Sequence, residues 1–137
     1  MMAKEDALRM GAGTAEIAAA QGLTLSHEQL AALEERRKQA LRDSGRVEWN
    51  GGILPRLLER FTDSPHLHQA ELAETLERLQ ALFYHWKNEV GDLTPDETVL
   101  HWLRRGFDRM GGDMNALEGF SPLALQRRLK EEADERT

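Results

Sequence analysis

A six-member apolar repeat in the second half of the chain restricts the fold more than any other feature. Its members are Leu72, Leu76, Leu79, Phe83, Trp86 and Val90, spaced alternately by four and three residues. An α-helix turns once every 3.6 residues, so this spacing places all six side chains on one helix face. A strand would need a spacing of two. The repeat therefore predicts a long helix over about 69–90 at the centre of an all-α core.

Capping signals predict helices on the N-terminal side of this central helix. Ser26 and Gln29 have the spacing of a capping box, in which each side chain bonds the backbone N–H of the other residue. They predict a helix over about 27–43, and Gly45 supplies the left-handed C-cap that ends it. Pro55 suits the first turn of the next helix, because that turn makes no intrahelical bond that the missing N–H would remove.

The C-terminal third carries three further helix signals. Thr94, Pro95 and Glu97 are spaced as the N-cap, first-turn proline and capping-box acid of a helix over about 95–110. A short glycine-bounded segment, NALE, follows, and a last helix is expected to start at Ser121. Together these signals predict an all-α fold, a single-domain bundle of five to six helices.

Length and turn residues set the expected boundaries of this bundle. A chain of 137 residues fits one domain with one core. We expect a flexible lead-in at 1–13, the helical domain at 14–130 and a frayed charged tail at 131–137. An irregular Gly/Pro-rich connector at about 44–52 is expected to interrupt the bundle.

The charge balance and the absence of cysteine exclude several kinds of site. The net charge is −6 and the pI is about 5.4, which disfavours nucleic acid as a partner. The basic stretches EERRKQALR and WLRRGFDR contain acids at one-turn spacing, a pattern typical of solvated helix faces. There is no cysteine for disulfides, thiolate nucleophiles or zinc. Neither a membrane-spanning helix nor a secretory signal is evident, so we expect no membrane association and a cytoplasmic location.

Most of the chain resembles a bacterial domain family of unknown function. The similar part runs from about Gly22 to Phe120, and its most specific motifs are SGRVEW followed by GGIL, then DSP and LFYHWKNE. The resemblance implies a small bacterial helical protein and implies no activity, cofactor or catalytic residue. The chain departs from the family pattern at His66, where an aromatic residue is expected, and at Thr62, where cysteine is expected. The resemblance therefore places His66 outside any shared metal site.

His66 and His68 are the most obvious candidate metal ligands, because imidazoles two residues apart on an extended segment can bind one cation. Zinc needs two more ligands, which only folding could bring from His85 and Glu89. No phosphate-loop signature follows the glycine pair at 51–52. We therefore expect no metal and no cofactor. The alternative is a small metal- or acid–base-dependent hydrolase built from His66, His68, His85 and Glu89.

Arg37 lies in the middle of the apolar face predicted for the 27–43 helix, seven residues after Leu30 and four before Leu41. A guanidinium keeps its charge, so it must reach solvent along its stem or find an acceptor. Glu48 and Asp63 are the expected partners. We interpret Arg37 as structural, with an anion-binding role as the alternative.

Two tryptophans complete the set of candidate binding residues. Trp49 and Val47 are expected to pack the connector onto the bundle, and Trp102 lies on a helix whose apolar arc is wider than one neighbour can cover. An uncovered apolar arc is typical of an interaction surface. Arg37, Trp49 and Trp102 are therefore the candidate binding residues. The sequence favours a non-enzymatic protein-interaction module or accessory subunit, with a protein partner or a homo-oligomer.

Overall fold

The computed structural model describes residues 22–45 and 53–135. Within these ranges it contains six α-helices and no strand, which confirms the all-α bundle. The helices are α1 (His27–Ser44), α2 (Leu54–Phe61), α3 (Leu72–Val90), α4 (Asp96–Arg109), α5 (Met114–Glu118) and α6 (Pro122–Glu135). None of them is long and apolar enough to cross a membrane within the described ranges.

The ends of α1 follow the capping rules. The side chain of Ser26 accepts a hydrogen bond from the N–H of Gln29, and the side chain of Gln29 accepts one from the N–H of Ser26, so the predicted capping box is present. Gly45 ends the helix at φ 69°, a left-handed conformation that glycine adopts without steric cost. Both predicted ends of α1 are therefore confirmed.

Helix α3 is the centre of the bundle and packs against every other helix. A 3₁₀ turn at Gln69–Glu71 precedes it. Five of the six repeat residues are at most 2% exposed, and Val90, at the C-terminal end, packs partly buried against the same core. The first helix is tied to it by the buried side chain of Gln80, whose Nε2 donates to the carbonyl of Leu33 at 3.0 Å. The central role predicted for the 69–90 segment is confirmed.

Helix α4 begins one residue later than its capping signal predicts. Its N-cap is Pro95, with no side-chain capping bond, whereas Thr94 was the predicted cap. The predicted capping box does not form because its acid, Glu97, is engaged elsewhere. The carboxylate of Glu97 is bound by Arg56 and Arg60 of α2, so it is directed toward another helix.

The last helix extends to Glu135, inside the 131–137 segment in which a frayed charged tail is expected. Glu132 lies in this extension, and its carboxylate accepts hydrogen bonds from Arg109 of α4 at 2.7 and 2.8 Å and from Arg128 at 3.4 Å. The C-terminal part of α6 is thereby held against α4.

Candidate protein-interaction groove

An open groove with a volume of about 450 Å³ lies between α4 and α6. Helix α4 contributes His101, Trp102 and Arg105, and helix α6 contributes Leu123, Gln126, Arg127, Leu129 and Lys130. The groove therefore combines a few apolar side chains with several that carry positive charge.

The two walls of the groove are fixed by the close approach of α6 to α4. Gly106 is the contact point: a Cβ added there would lie 2.6 Å from Cδ1 of Leu117 and 2.7 Å from Cδ2 of Leu125. A side chain at this position would force these buried leucines to move. Leu125 is fully buried, so it anchors the first half of α6 to the core.

The apolar part of the groove consists of Trp102, Leu123 and Leu129. Trp102 and Leu129 are partly buried and pack against the core, whereas Leu123 is 59% exposed. Val99, Leu100, Leu103 and Phe107 of α4 are inside the core, which accounts for most of the wide apolar arc of this helix. Trp102 is the part of the arc that remains accessible.

Among the described residues, the lysine and arginine side chains of the groove form neither an ion pair nor a side-chain hydrogen bond. Ten of the fourteen lysines and arginines in residues 22–45 and 53–135 form ion pairs: Arg36, Arg37, Lys38, Arg56, Arg60, Arg78, Lys87, Arg104, Arg109 and Arg128. Arg42 donates to the side chain of Gln39. The remaining three, Arg105, Arg127 and Lys130, all line the groove and are all exposed.

The paired arginines show what neutralisation does at other positions. Hydrogen bonds from Arg56 and Arg60 lower the pKa of Glu97 below its usual range. Arg109 acts in the same way on the pKa of Glu132. Each of these carboxylates places a negative charge beside its cationic partners. The cations of the groove have no such carboxylate partner among the described residues, although the whole chain has a net charge of −6.

Arg37 lies far from solvent and has a partner that the sequence analysis missed. Its side chain is 4% exposed and donates to Glu34 through Nε at 3.1 Å and Nη2 at 2.6 Å. Asp63, one of the two predicted partners, is instead paired with Arg104. Glu48, the other, lies outside the described residues. The i,i+3 spacing of Glu34 and Arg37 is the signal that could have identified the pair.

The histidines of the hydrolase alternative do not form a metal centre in the described residues. Across residues 22–45 and 53–135, no three His, Asp or Glu side chains are grouped so that they could hold a metal ion. His85 Nε2 lies 3.0 Å from Glu89 Oε1, one helical turn apart, and both side chains are well exposed. His66 packs instead against the turn at Gly112.

Of the two candidate tryptophans, the structure places Trp102 in the groove. Trp49 lies within 46–52, the part of the predicted 44–52 connector that is outside the described residues. Arg105, Arg127 and Lys130 were not predicted as a group from the sequence. Their only sequence signal is the pair of short basic stretches WLRRGF and QRRLK. Eighteen residues separate these stretches, and only the packing of α6 on α4 brings them together.

Comparison with known proteins establishes the family of the chain. Residues 12–135 match the family of unknown function DUF6323, which is most of the sequence. No match was found among curated proteins or among solved structures. The chain therefore belongs to DUF6323, a family of unknown function, as the resemblance in its sequence predicted.

Proposed function

We propose that this protein is a non-enzymatic interaction module that binds an acidic segment of a protein partner in the groove between α4 and α6. One observation carries the proposal. The three described lysines and arginines that form neither an ion pair nor a hydrogen bond surround one apolar patch. Unpaired cations around exposed apolar side chains provide both the charge and the apolar contact that an acidic amphipathic segment would use.

The composition and shape of the groove support a macromolecular ligand. Tryptophan and arginine are the side chains most enriched at the energetic centres of protein interfaces, and the groove contains Trp102 with Arg105 and Arg127. The groove is open along its length, with Leu123 at 59% exposure. A small-molecule site usually encloses most of its ligand, and an open groove suits a chain segment better.

Nucleic acid is a weaker candidate for the same surface. Affinity for a phosphate backbone grows with the number of phosphates that lysines and arginines neutralise. The groove offers three such residues on a chain whose net charge is −6. A cytoplasmic location and a bacterial source, expected from the sequence, are part of this proposal.

The test is differential capture with a matched pair of double variants. Tagged wild-type protein, Arg105→Glu/Arg127→Glu and Lys38→Glu/Arg42→Glu are each incubated with nuclease-treated extract of the source cells. Both variants change the charge by the same amount, and Lys38 and Arg42 are exposed on a different helix. We expect at least one protein that binds the wild type and the α1 variant and is lost with the groove variant. Purified partner should reproduce the difference.

Two results would contradict the proposal. Identical capture by all three proteins would show that the groove is not the binding surface. A partner that binds before nuclease treatment and not after it would show that nucleic acid occupies the groove.

A further inference from the structure

The loop between α3 and α4 presents an apolar side chain entirely to solvent. Leu93 is 99% exposed, and among the described residues only Leu93 and Leu123 are large hydrophobic side chains of high exposure. Leu123 belongs to the groove. A single exposed leucine is common on protein surfaces and needs no special explanation. Leu93 differs from an isolated exposed leucine because its loop is hydrogen-bonded to a buried lysine and carries acidic side chains.

A buried lysine connects α3 to this loop and to the start of α4. Lys87 is only 5% exposed, and its ammonium group donates to the carbonyl of Thr94 and lies 3.0 Å from Oδ1 of Asp96. The N–H of Thr94 also donates to the carbonyl of Gly91 at 3.3 Å, which closes a turn with Leu93 near its tip. A surface that is ordered before binding loses less entropy on association, so this loop is prepared to act as a ligand.

The loop is complementary to the groove in both charge and hydrophobicity. Asp92 precedes Leu93, and Glu89 lies on the last turn of α3, with its Oε1 3.0 Å from Nε2 of His85. Both acids remain exposed to solvent. The groove offers apolar side chains surrounded by Arg105, Arg127 and Lys130. An acidic loop with a leucine at its tip therefore has the chemistry that the groove would bind. Both surfaces are on the same chain.

We propose that the groove binds the 89–94 loop of a second copy of this protein. The inference rests on the proposed function of the groove and names its occupant. The loop and the groove are different surfaces, so each copy can donate its loop to one neighbour and receive the loop of another. Head-to-tail contacts of this kind produce closed rings or growing chains. A contact limited to one loop and one groove buries little area, so the association is weak and depends on concentration.

Sedimentation velocity over a concentration series tests the proposal. Wild-type protein is expected to associate as its concentration rises. The association should weaken as salt increases from 0.1 to 1 M, because the screening length falls from about 10 Å to about 3 Å. Leu93→Ser is expected to weaken the association at least about tenfold, since it removes a leucine side chain that becomes buried. Because Leu93 is 99% exposed, the melting temperature of this variant should equal that of the wild type.

A mixing experiment distinguishes the head-to-tail contact from other kinds of association. The loop variant Leu93→Ser has an intact groove, and Arg105→Glu/Arg127→Glu has an intact loop. Each alone is expected to remain monomeric at concentrations where the wild type associates. Mixed in equal amounts, they are expected to form a 1:1 dimer that grows no further, because only one productive contact is available. Lys38→Glu/Arg42→Glu is the matched control and should associate like the wild type.

Three outcomes would overturn this inference. They are a wild type that stays monomeric at high concentration and low salt, an association that Leu93→Ser leaves intact, and a mixture of the two variants that forms no dimer. None of these outcomes contradicts the proposed function if the groove variant still loses a partner in the capture experiment. If both experiments fail, the groove itself has been misassigned.

Discussion

At the scale of single residues, burial separates structural charges from accessible ones. Arg36 and Arg37 are neighbours on α1 and both are ion-paired, but the side chain of Arg36 is 68% exposed and that of Arg37 only 4%. An exposed ion pair contributes little, since water solvates both charges well without it. A buried guanidinium depends on its partner, because no water is available to replace it.

Arg37→Ala is therefore expected to lower the free energy of unfolding. The loss should exceed the value of about 1 kcal/mol typical of an exposed pair, and it reaches about 3–5 kcal/mol if Glu34 behaves as a buried charge. Glu34 retains 20% exposure, which favours the lower part of this range. Urea denaturation measures the change. The adjacent substitution Arg36→Ala is the control and should cost less than about 1 kcal/mol. Equal effects of the two substitutions would show that burial of Arg37 does not govern its contribution.

Gly106 gives a second prediction at this scale, with an unusual sign. Replacing glycine by alanine inside a helix normally stabilises it by about 0.5–1 kcal/mol. Here the new Cβ would lie 2.6 Å from Leu117 and 2.7 Å from Leu125, so Gly106→Ala is expected to destabilise by about 1–3 kcal/mol through overpacking. Thermal unfolding measures it.

A double variant checks the cause of this effect. Gly106→Ala combined with Leu117→Ala should cost less than the sum of the two single changes, because the smaller side chain leaves room for the new methyl group. Strict additivity, or a stabilised Gly106→Ala protein, would argue against the close approach of the helices.

At the scale of elements, an ion-pair network joins α2 to the start of α4. Glu97 accepts from both Arg56 and Arg60, and Arg56 also pairs with Asp96 at 3.2 Å. Asp96 in turn is bound by Lys87, so the network reaches α3 and the loop that carries Leu93. The N-terminus of α4 is thus positioned by side-chain pairs in place of a capping box.

Acidification should weaken this network in a defined direction. Arg56 and Arg60 lower the pKa of Glu97 below its ordinary value of 4.5. A carboxylate with a lowered pKa in the folded state contributes stability that is present above the ordinary value and is lost as the pH falls through the folded value. The melting temperature is therefore expected to decrease when the pH is lowered below about 4.5.

Glu97→Gln isolates the contribution of this carboxylate. The variant should be less stable than the wild type at pH 7, by no more than about 1 kcal/mol per exposed pair, and the difference should shrink as the pH falls below about 4. Melting curves at several pH values measure both effects. A difference that stays constant down to pH 3 would mean that Glu97 does not titrate as described.

At the scale of the whole molecule, stability comes from one apolar core shared by all six described helices. Its largest fully buried side chains are Trp86, Phe61, Phe83 and Phe107, and Phe61 meets Phe107 edge to face with ring centroids 5.3 Å apart. This contact joins α2 to α4 directly. A core of this kind provides the driving force for folding through burial of apolar surface.

We therefore expect the protein to fold without a metal ion. Treatment with EDTA should leave the melting temperature unchanged, as measured by circular dichroism. A fall of more than about 10 °C corresponds to a few kcal/mol in a domain of this size, and it would indicate a structural metal that includes residues outside the described ranges.

The sequence by itself determined the features that depend on local rules. The capping box at Ser26, the glycine stop at Gly45 and the central helix with its apolar face all follow from spacings within a few residues. Such signals can be recognised in the sequence alone, because a helix end or a helix face is formed by residues that are close along the chain. The all-α fold follows from them.

Only the tertiary structure decided which charges are neutralised. Glu97 and its partner Arg56 are 41 residues apart, and that pair removed Glu97 from the predicted capping box. Arg104 pairs with Asp63, 41 residues away, whereas Arg105, next to Arg104 in the chain, forms no ion pair among the described residues. Ion pairs depend on distance in space, so the sequence could not show that Arg105, Arg127 and Lys130 remain unpaired around one groove.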